Sequence, residues 1–300
     1  RRWMVFGLWW ILAAVGSAPV AAQLSADWMI SASANAPGAR GTYWVTDLSL
    51  HNPHEYELPV VVQVLPSDSE NYEVPTLDLT LGPWETVNFW DVLGPEGFDL
   101  AGTAAILAYA DTSLACDPIE DCHLLVTSRT YTPGARGTGE FGLTVPGAGV
   151  ERGTDFDTFA YAAGILNDGR YFRCNVGVAS WSTEWTSVQV DVQDAGGSIL
   201  ESVIYDVPPF GHVQDRLETE VEGGSLVFYL LSGPDDALVF PYATIINQDT
   251  GDASFFFGEA STVGVSVAKT GGRGNIRPAH PGVATATAAP PGQSAKRRQN

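Results

Sequence analysis

The sequence predicts an all-β protein made of two tandem antiparallel β-sandwich domains, duplicated, of immunoglobulin-like or jelly-roll type. Three observations carry that expectation. One set of core and turn residues occurs twice in the same order; short segments rich in β-branched and aromatic residues recur between Pro, Gly, Asn and Asp; and no long stretch shows helical period.

The repetition begins where Gly41-Thr-Tyr-Trp-Val-Thr-Asp-Leu-Ser-Leu50 aligns without a gap on Gly169-Arg-Tyr-Phe-Arg-Cys-Asn-Val-Gly-Val178. The same register sets Val60, Val62 and Val64 against Val188, Val190 and Val192. Further blocks pair Leu81-Gly-Pro-Trp84 with Val207-Pro-Pro-Phe210, Gly102 to Tyr109 with Gly224 to Leu231, and Leu125-Val126 with Leu238-Val239. What repeats is the spacing of apolar and turn positions, with hardly any polar group kept as a reaction would need it.

In chain order, the first unit offers strands at 44–50, 59–65, 77–81, 103–109, 124–131 and 140–145. The second offers them at 171–178, 187–193, 198–206, 225–231, 237–246 and 254–257. Alternation along each implies one buried face, as in a sandwich whose sheets meet on one side only. Asp91 to Leu100 and Asp215 to Glu222 each follow a Pro-aromatic block and are expected to form short helical turns.

The ends differ from the body. Arg1-Arg2, the apolar run Trp3 to Val15 and the small residues Val20-Ala21-Ala22 read as a signal peptide over 1–22. The run is too short for a spanning helix of about 20 residues. Secretion to an extracellular or periplasmic location follows, with no membrane insertion after cleavage. The units are expected over 27–149 and 150–265. Residues 269–300, rich in Gly, Pro, Ala and Thr with six basic and no acidic residues, read as a disordered basic tail.

All 35 acidic residues lie between positions 23 and 268, opposed there by seven arginines and no lysine, so the body carries −28. Such a surface repels phosphate backbones and anionic headgroups, which argues against nucleic acid and lipid-surface partners. Cys116 and Cys122 bracket a loop present only in the first unit and are expected to form a short local disulfide. Cys174, at an alternating strand position, reads as a small buried thiol.

Constellations that carry chemistry are weak. Gly137 to Gly142 has dinucleotide-like glycine spacing but lies between strands and reads as a hairpin turn. His51 and His54 flank Pro53 without a third ligand, so no metal site is assigned. Asp155 and Asp157, Asp235 and Asp236, and Asp249 and Asp252 sit in turns where calcium would find oxygen ligands, although Asx capping explains each; no cofactor is assigned. His212 near Asp215 has no evident nucleophile. Trp181 and Trp185 fall in a connection outside the shared core pattern; exposed, they could stack on a sugar or anchor a partner, and folded back on a bent loop they would cover the sandwich edge. Pro-Gly-Ala-Arg-Gly-Thr occurs at 37–42 and 133–138, placing Arg40 and Arg136 in tight turns.

The pattern Gly41-x-Tyr43-Trp44-x-Thr46-Asp47-Leu48-x-Leu50-x-Asn52-Pro53, an aliphatic strand, a Pro-centred turn, Thr127-Ser-Arg-Thr-Tyr131 and Gly139-x-Phe141-Gly142 resembles tandem immunoglobulin-like β-sandwich repeats of secreted bacterial proteins. These are similar to cell-adhesion-related modules. The resemblance covers about 35–260 and implies an extracellular module that is not an enzyme. The expected function is a secreted structural or adhesion-type module with an extracellular protein or glycan as partner. The alternatives are a carbohydrate-binding module using Trp181 and Trp185, and a hydrolase with an unrecognised carboxylate pair, which would need a deep cleft lined by acids of raised pKa.

Overall fold

The computed structural model describes residues 25–111, 122–133, 139–261 and 296–298. It is all-β. The first half contributes β1 (Asp27–Pro37), β2 (Tyr43–His51), β3 (Leu58–Pro66), β4 (Thr76–Leu81), β5 (Thr86–Phe89), β6 (Gly102–Ala110), β7 (Leu125–Pro133), β8 (Glu140–Pro146) and β9 (Ala148–Gly149). The second contributes β10 (Phe159–Asn167), β11 (Phe172–Trp181), β12 (Thr186–Gln193), β13 (Ile199–Val207), β14 (His212–Arg216), β15 (Val221–Ser232), β16 (Leu238–Asn247), β17 (Ala253–Phe257) and β18 (Glu259–Ser261). A last short strand, β19 (Lys296–Arg298), runs antiparallel beside β13 within the stretch expected to be disordered.

Every inter-strand pairing of the first half except one has a counterpart in the second. β4-β3-β6-β1-β9 is matched by β13-β12-β15-β10-β18, and β5-β2-β7-β8 by β14-β11-β16-β17. The exception is a short β1–β2 contact at Ala36–Trp44 and Pro37–Tyr43, which joins the first half's two layers into one sheet. The central pairs β2–β5 and β3–β6 are those an immunoglobulin sandwich makes. The outer places are exchanged: β1 lies beside β6, and β7 beside β2.

Register sharpens the internal match. Ser49 stands opposite Asn88 and Gly177 opposite Gln214, so Trp84 and Phe210 are equivalent, and both turn with positive φ (59° and 46°). For two blocks the ladders correct the sequence alignment. Ser49 faces Thr127 while Gly177 faces Tyr242, so Leu125 matches Phe240 rather than Leu238. Val62 faces Ala108 while Val190 faces Phe228, a second slip of two residues. A slip of two keeps every side chain on its face, which is why the hydrophobic pattern could not detect it.

The apolar residues form three layers of packing. Ile30, Val60, Val62, Ile106, Leu48 and Leu50 fill the first half's interior, and Val176, Val188, Val190, Val203, Leu226 and Phe228 the second's. Between them, Met29, Leu65, Ala105 and Leu107 meet Ala179, Phe240 and Phe257. The β1–β6 layer and the β11–β16 layer are therefore buried on both faces. Tyr242 and Phe255 continue from this seam into the first interior, so the halves are not separate convex bodies.

This corrects the expectation of one buried face per strand. β1 also escapes the sequence pattern, being rich in Ser and Ala where two layers approach closely and alternation vanishes, and β10 escapes it because Ala160, Ala162, Ala163 and Gly164 carry little hydrophobic contrast, although Tyr161 and Ala163 are exposed. β5 and β14 were missed for their shortness. The helical turns expected over 91–100 and 215–222 are not formed: the first is a series of tight turns, and the second is split between β14 and β15. Cys116 lies outside the described residues, and with it the expected Cys116–Cys122 pairing; Cys122 is buried. The signal peptide expected over 1–22 also lies outside them. Among the described residues no helix is long and apolar enough to cross a membrane.

Candidate functional site: the cleft between the halves

Alternation on β11 decides which residues face the first half. Cys174, Val176 and Val178 point into the second interior, so Arg173, Asn175, Gly177, Ala179 and Trp181 turn toward the seam. The closest approach is at Gly177, where a Cβ would come within 2.3 Å of the Tyr242 ring; only glycine lets that tyrosine lie flat across the strand.

At one end of the seam a polar relay locks the halves. His212 is fully buried; its Nδ1 lies 2.6 Å from Ser67 Oγ and its Nε2 2.7 Å from Tyr242 OH, which donates to Gln214 Oε1 at 2.9 Å. Around it, Asp68 N–H donates to His212 O, Asn71 Nδ2 to Phe210 O, and Tyr72 OH to Thr183 O. The Ser67–His212 pair, 145 residues apart in sequence, has the outline of a nucleophile and base. Burial holds the ring's pKa down at about 3, so at neutral pH it is a poor proton acceptor and works as a structural clasp.

Trp181 and Trp185, for which exposure and folding back over an edge were the two expectations, are both half-buried at this same seam. Trp181 packs against the apolar layer of Phe240 and Ala179, and Trp185 Nε1 donates to Glu70 Oε1 at 3.1 Å across the halves. The strongly exposed tryptophans are instead Trp84 (63%) and Trp90 (71%), at the β4–β5 turn and after β5. Turn chemistry alone gave no signal of their exposure.

At the other end the halves part and leave a cleft. A smaller cavity of about 250 Å³ is lined by Ser33, Trp44, Thr103, Thr130, Asn175, Gln214, Thr244 and Arg173. A larger one of about 470 Å³ shares Ala39, Trp44, Arg173 and Ile246 with it and adds Thr42, Thr132, Gln248 and Asp249. Hydroxyls and amides on rigid strands thus converge around one guanidinium. Arg173 has its Nε buried without an acceptor, and desolvation, followed by the nearby Arg216 charge, pulls its pKa down. No sequence motif marks it, because its significance depends on which face of β11 is covered.

The other candidates disperse. Asp155 Oδ1 accepts from Asp157 N–H and Thr158 Oγ1, and Asn247 Oδ1 accepts from Asp249 and Thr250 N–H, so these turns cap themselves. Among the described residues no three His, Cys, Asp or Glu side chains gather as a metal site would require. His51 Nδ1 meets Thr86 Oγ1, whereas His54 Nε2 accepts from His123 N–H. Burial raises the carboxyls of Asp27 and Asp91, neither of which lines the cleft. Cys174 is buried, its thiol pushed up to about 12. Of the Gly137–Gly142 stretch, residues 137 and 138 lie outside the described residues, and Glu140 to Gly142 pair in β8 with β7, Pro133 facing Glu140.

Comparison with known proteins finds no family model that matches the chain and no curated protein similar to it.

Proposed function

We propose that the chain is an exported, non-catalytic β-sandwich protein of structural or adhesion type, built by duplication of one unit, that recognises an extracellular ligand in the cleft between its halves. The equivalent strand pairings and the matched left-handed Trp84 and Phe210 support the duplication over about 27–149 and 150–265. One observation carries the binding reading: hydroxyl, amide and guanidinium groups held on strands of two locked sandwiches converge on an open cavity. Pre-formed sites of this kind bind without an ordering cost. The raised carboxylates stand elsewhere, and among the described residues the Ser67–His212 contact lies in the seam with its histidine fully buried, which favours recognition over chemistry.

The test is a glycan and extracellular-protein array probed with the full exported chain, with calcium and with chelator. Saturable retention, lost when Thr130→Trp fills the smaller cavity while the Tm is kept, is the expected outcome. Turnover of glycoside or ester substrates, or retention indifferent to Thr130→Trp, would overturn it. A second reading has its own observation: exposed Trp84 and Trp90 offer two aromatic faces to sugars. Alanine at both then abolishes glycan retention at unchanged Tm, whereas alanine at Trp181 and Trp185 lowers the Tm.

A further inference from the structure

We propose that Arg173 makes this cleft a receptor for a single carboxylate group, of the kind carried by an acidic sugar on an extracellular glycan. The inference rests on reading the cleft as a binding site and assigns its ligand chemistry.

The position itself is unusual. Arg173 matches Val45 of the first half, so a guanidinium stands where the repeated pattern has an aliphatic residue. It also lies on a face that the first half covers. A desolvated cation there normally recruits a carboxylate. Here, among the described residues, the one charge that shifts its pKa is another cation, Arg216, which stands opposite Asn175 on β14. The body carries −28, with seven arginines against 35 acidic residues, yet no carboxylate of the described residues forms an ion pair with Arg173. Its Nε is buried and finds no acceptor, which leaves that N–H open to a ligand.

The surroundings define the ligand. A guanidinium is a planar fork that matches a carboxylate in two parallel hydrogen bonds. Ser33, Thr130, Asn175, Gln214 and Thr244 supply neutral donors and acceptors suited to hydroxyls beside that carboxylate. Asp249 lines the larger cavity and, with the acidic body, disfavours a multiply charged group. One central cation compensates one negative charge. A phosphate dianion or a sulfated polymer is therefore the poorer fit.

Calorimetric titration of the full exported chain with D-glucuronate, D-glucose and inorganic phosphate tests this, using wild type, Arg173→Gln and Arg173→Lys. Wild type is expected to bind glucuronate saturably, at least about tenfold more tightly than glucose and more tightly than phosphate. Arg173→Gln is expected to lose that tenfold preference without a lower Tm, and Arg173→Lys to keep part of it. No saturation by glucuronate, tighter binding of phosphate, or an undiminished preference in Arg173→Gln would overturn the assignment. Should Arg173→Gln fail to fold, the wild-type ranking of the three probes and the Arg173→Lys titration still decide. A neutral glycan held equally by wild type and Arg173→Gln would overturn the carboxylate assignment and leave the binding reading standing; loss of all retention on the array would remove both.

Discussion

The sheet β5-β2-β7-β8 and its counterpart β14-β11-β16-β17 have one pairing scheme and opposite fates. In the first, the outward face presents Thr127 and Arg129 to solvent, with Asp47 accepting from Asp91 N–H nearby. In the second, the matched places are Tyr242 and Thr244, and the face is pressed against the other half. Ser49 becomes Gly177, Thr86 becomes His212 and Val45 becomes Arg173. The inner faces keep the aliphatic pattern because both must fill a sandwich. The outer faces differ because only one meets a partner layer. Matched strands thus share the pattern of one face and differ on the other, where the seam lies.

Substitutions at matched positions can break this comparison. The largest effect is expected from Gly177→Val, whose methyls would collide with the Tyr242 ring, against Ser49→Val in the first half. We expect a loss of about 3 kcal/mol or more for the first and under about 1 kcal/mol for the second, read from urea midpoints. Equal losses would mean that the seam does not hold the halves.

Next comes pH. Burial keeps His212 neutral with a pKa near 3, below its ordinary 6.5. A depressed histidine pKa means that the unfolded chain binds the proton first, so the contribution is whole above about pH 6.5 and drains away as the pH falls toward 3. Between pH 7 and 4.5 we expect a loss of roughly 2–3 kcal/mol attributable to this ring. The raised Asp27 and Asp91 act in the opposite direction, so the difference between wild type and His212→Gln isolates the histidine. A parallel pH profile in the variant would show the relay to be incidental. Thr86→Ala, at the equivalent place, should leave the profile unchanged.

The smallest expected effect sharpens the picture at the seam's rim. Trp185→Phe removes the hydrogen bond to Glu70 while keeping the ring's bulk, and should cost about 0.5–1.5 kcal/mol in thermal unfolding. A loss beyond that range would place more of the locking at the rim than the apolar layer of Met29, Leu107 and Phe240 allows.

How much was legible follows from these faces. Twelve strands could be read from β-branched and aromatic runs, since a run such as Val60 to Val64 buries one side chain in two for a purely local reason. β1 could not, because Ser31 and Ser33 suit close layers whose existence is a tertiary fact, and β10 could not, because its small Ala162 and Ala163 carry little hydrophobic contrast. Trp181 and Trp185 were visible as residues outside the common pattern, but the loop holding Glu70 and Tyr72 that half-covers them lies more than a hundred positions away. Arg173 was hidden in plain alternation.

From its residues alone this protein declared strands, turns, a repeated interior and an acidic body, because each depends on neighbours a few positions apart. The stacking of the two sandwiches, the burial of His212 beside Ser67 and the gathering of Arg173 with Thr130 and Trp44 were decided only by the tertiary structure. Covering an outer face is a long-range choice, and the chain's local spacing is the same whether that face meets water or another sheet.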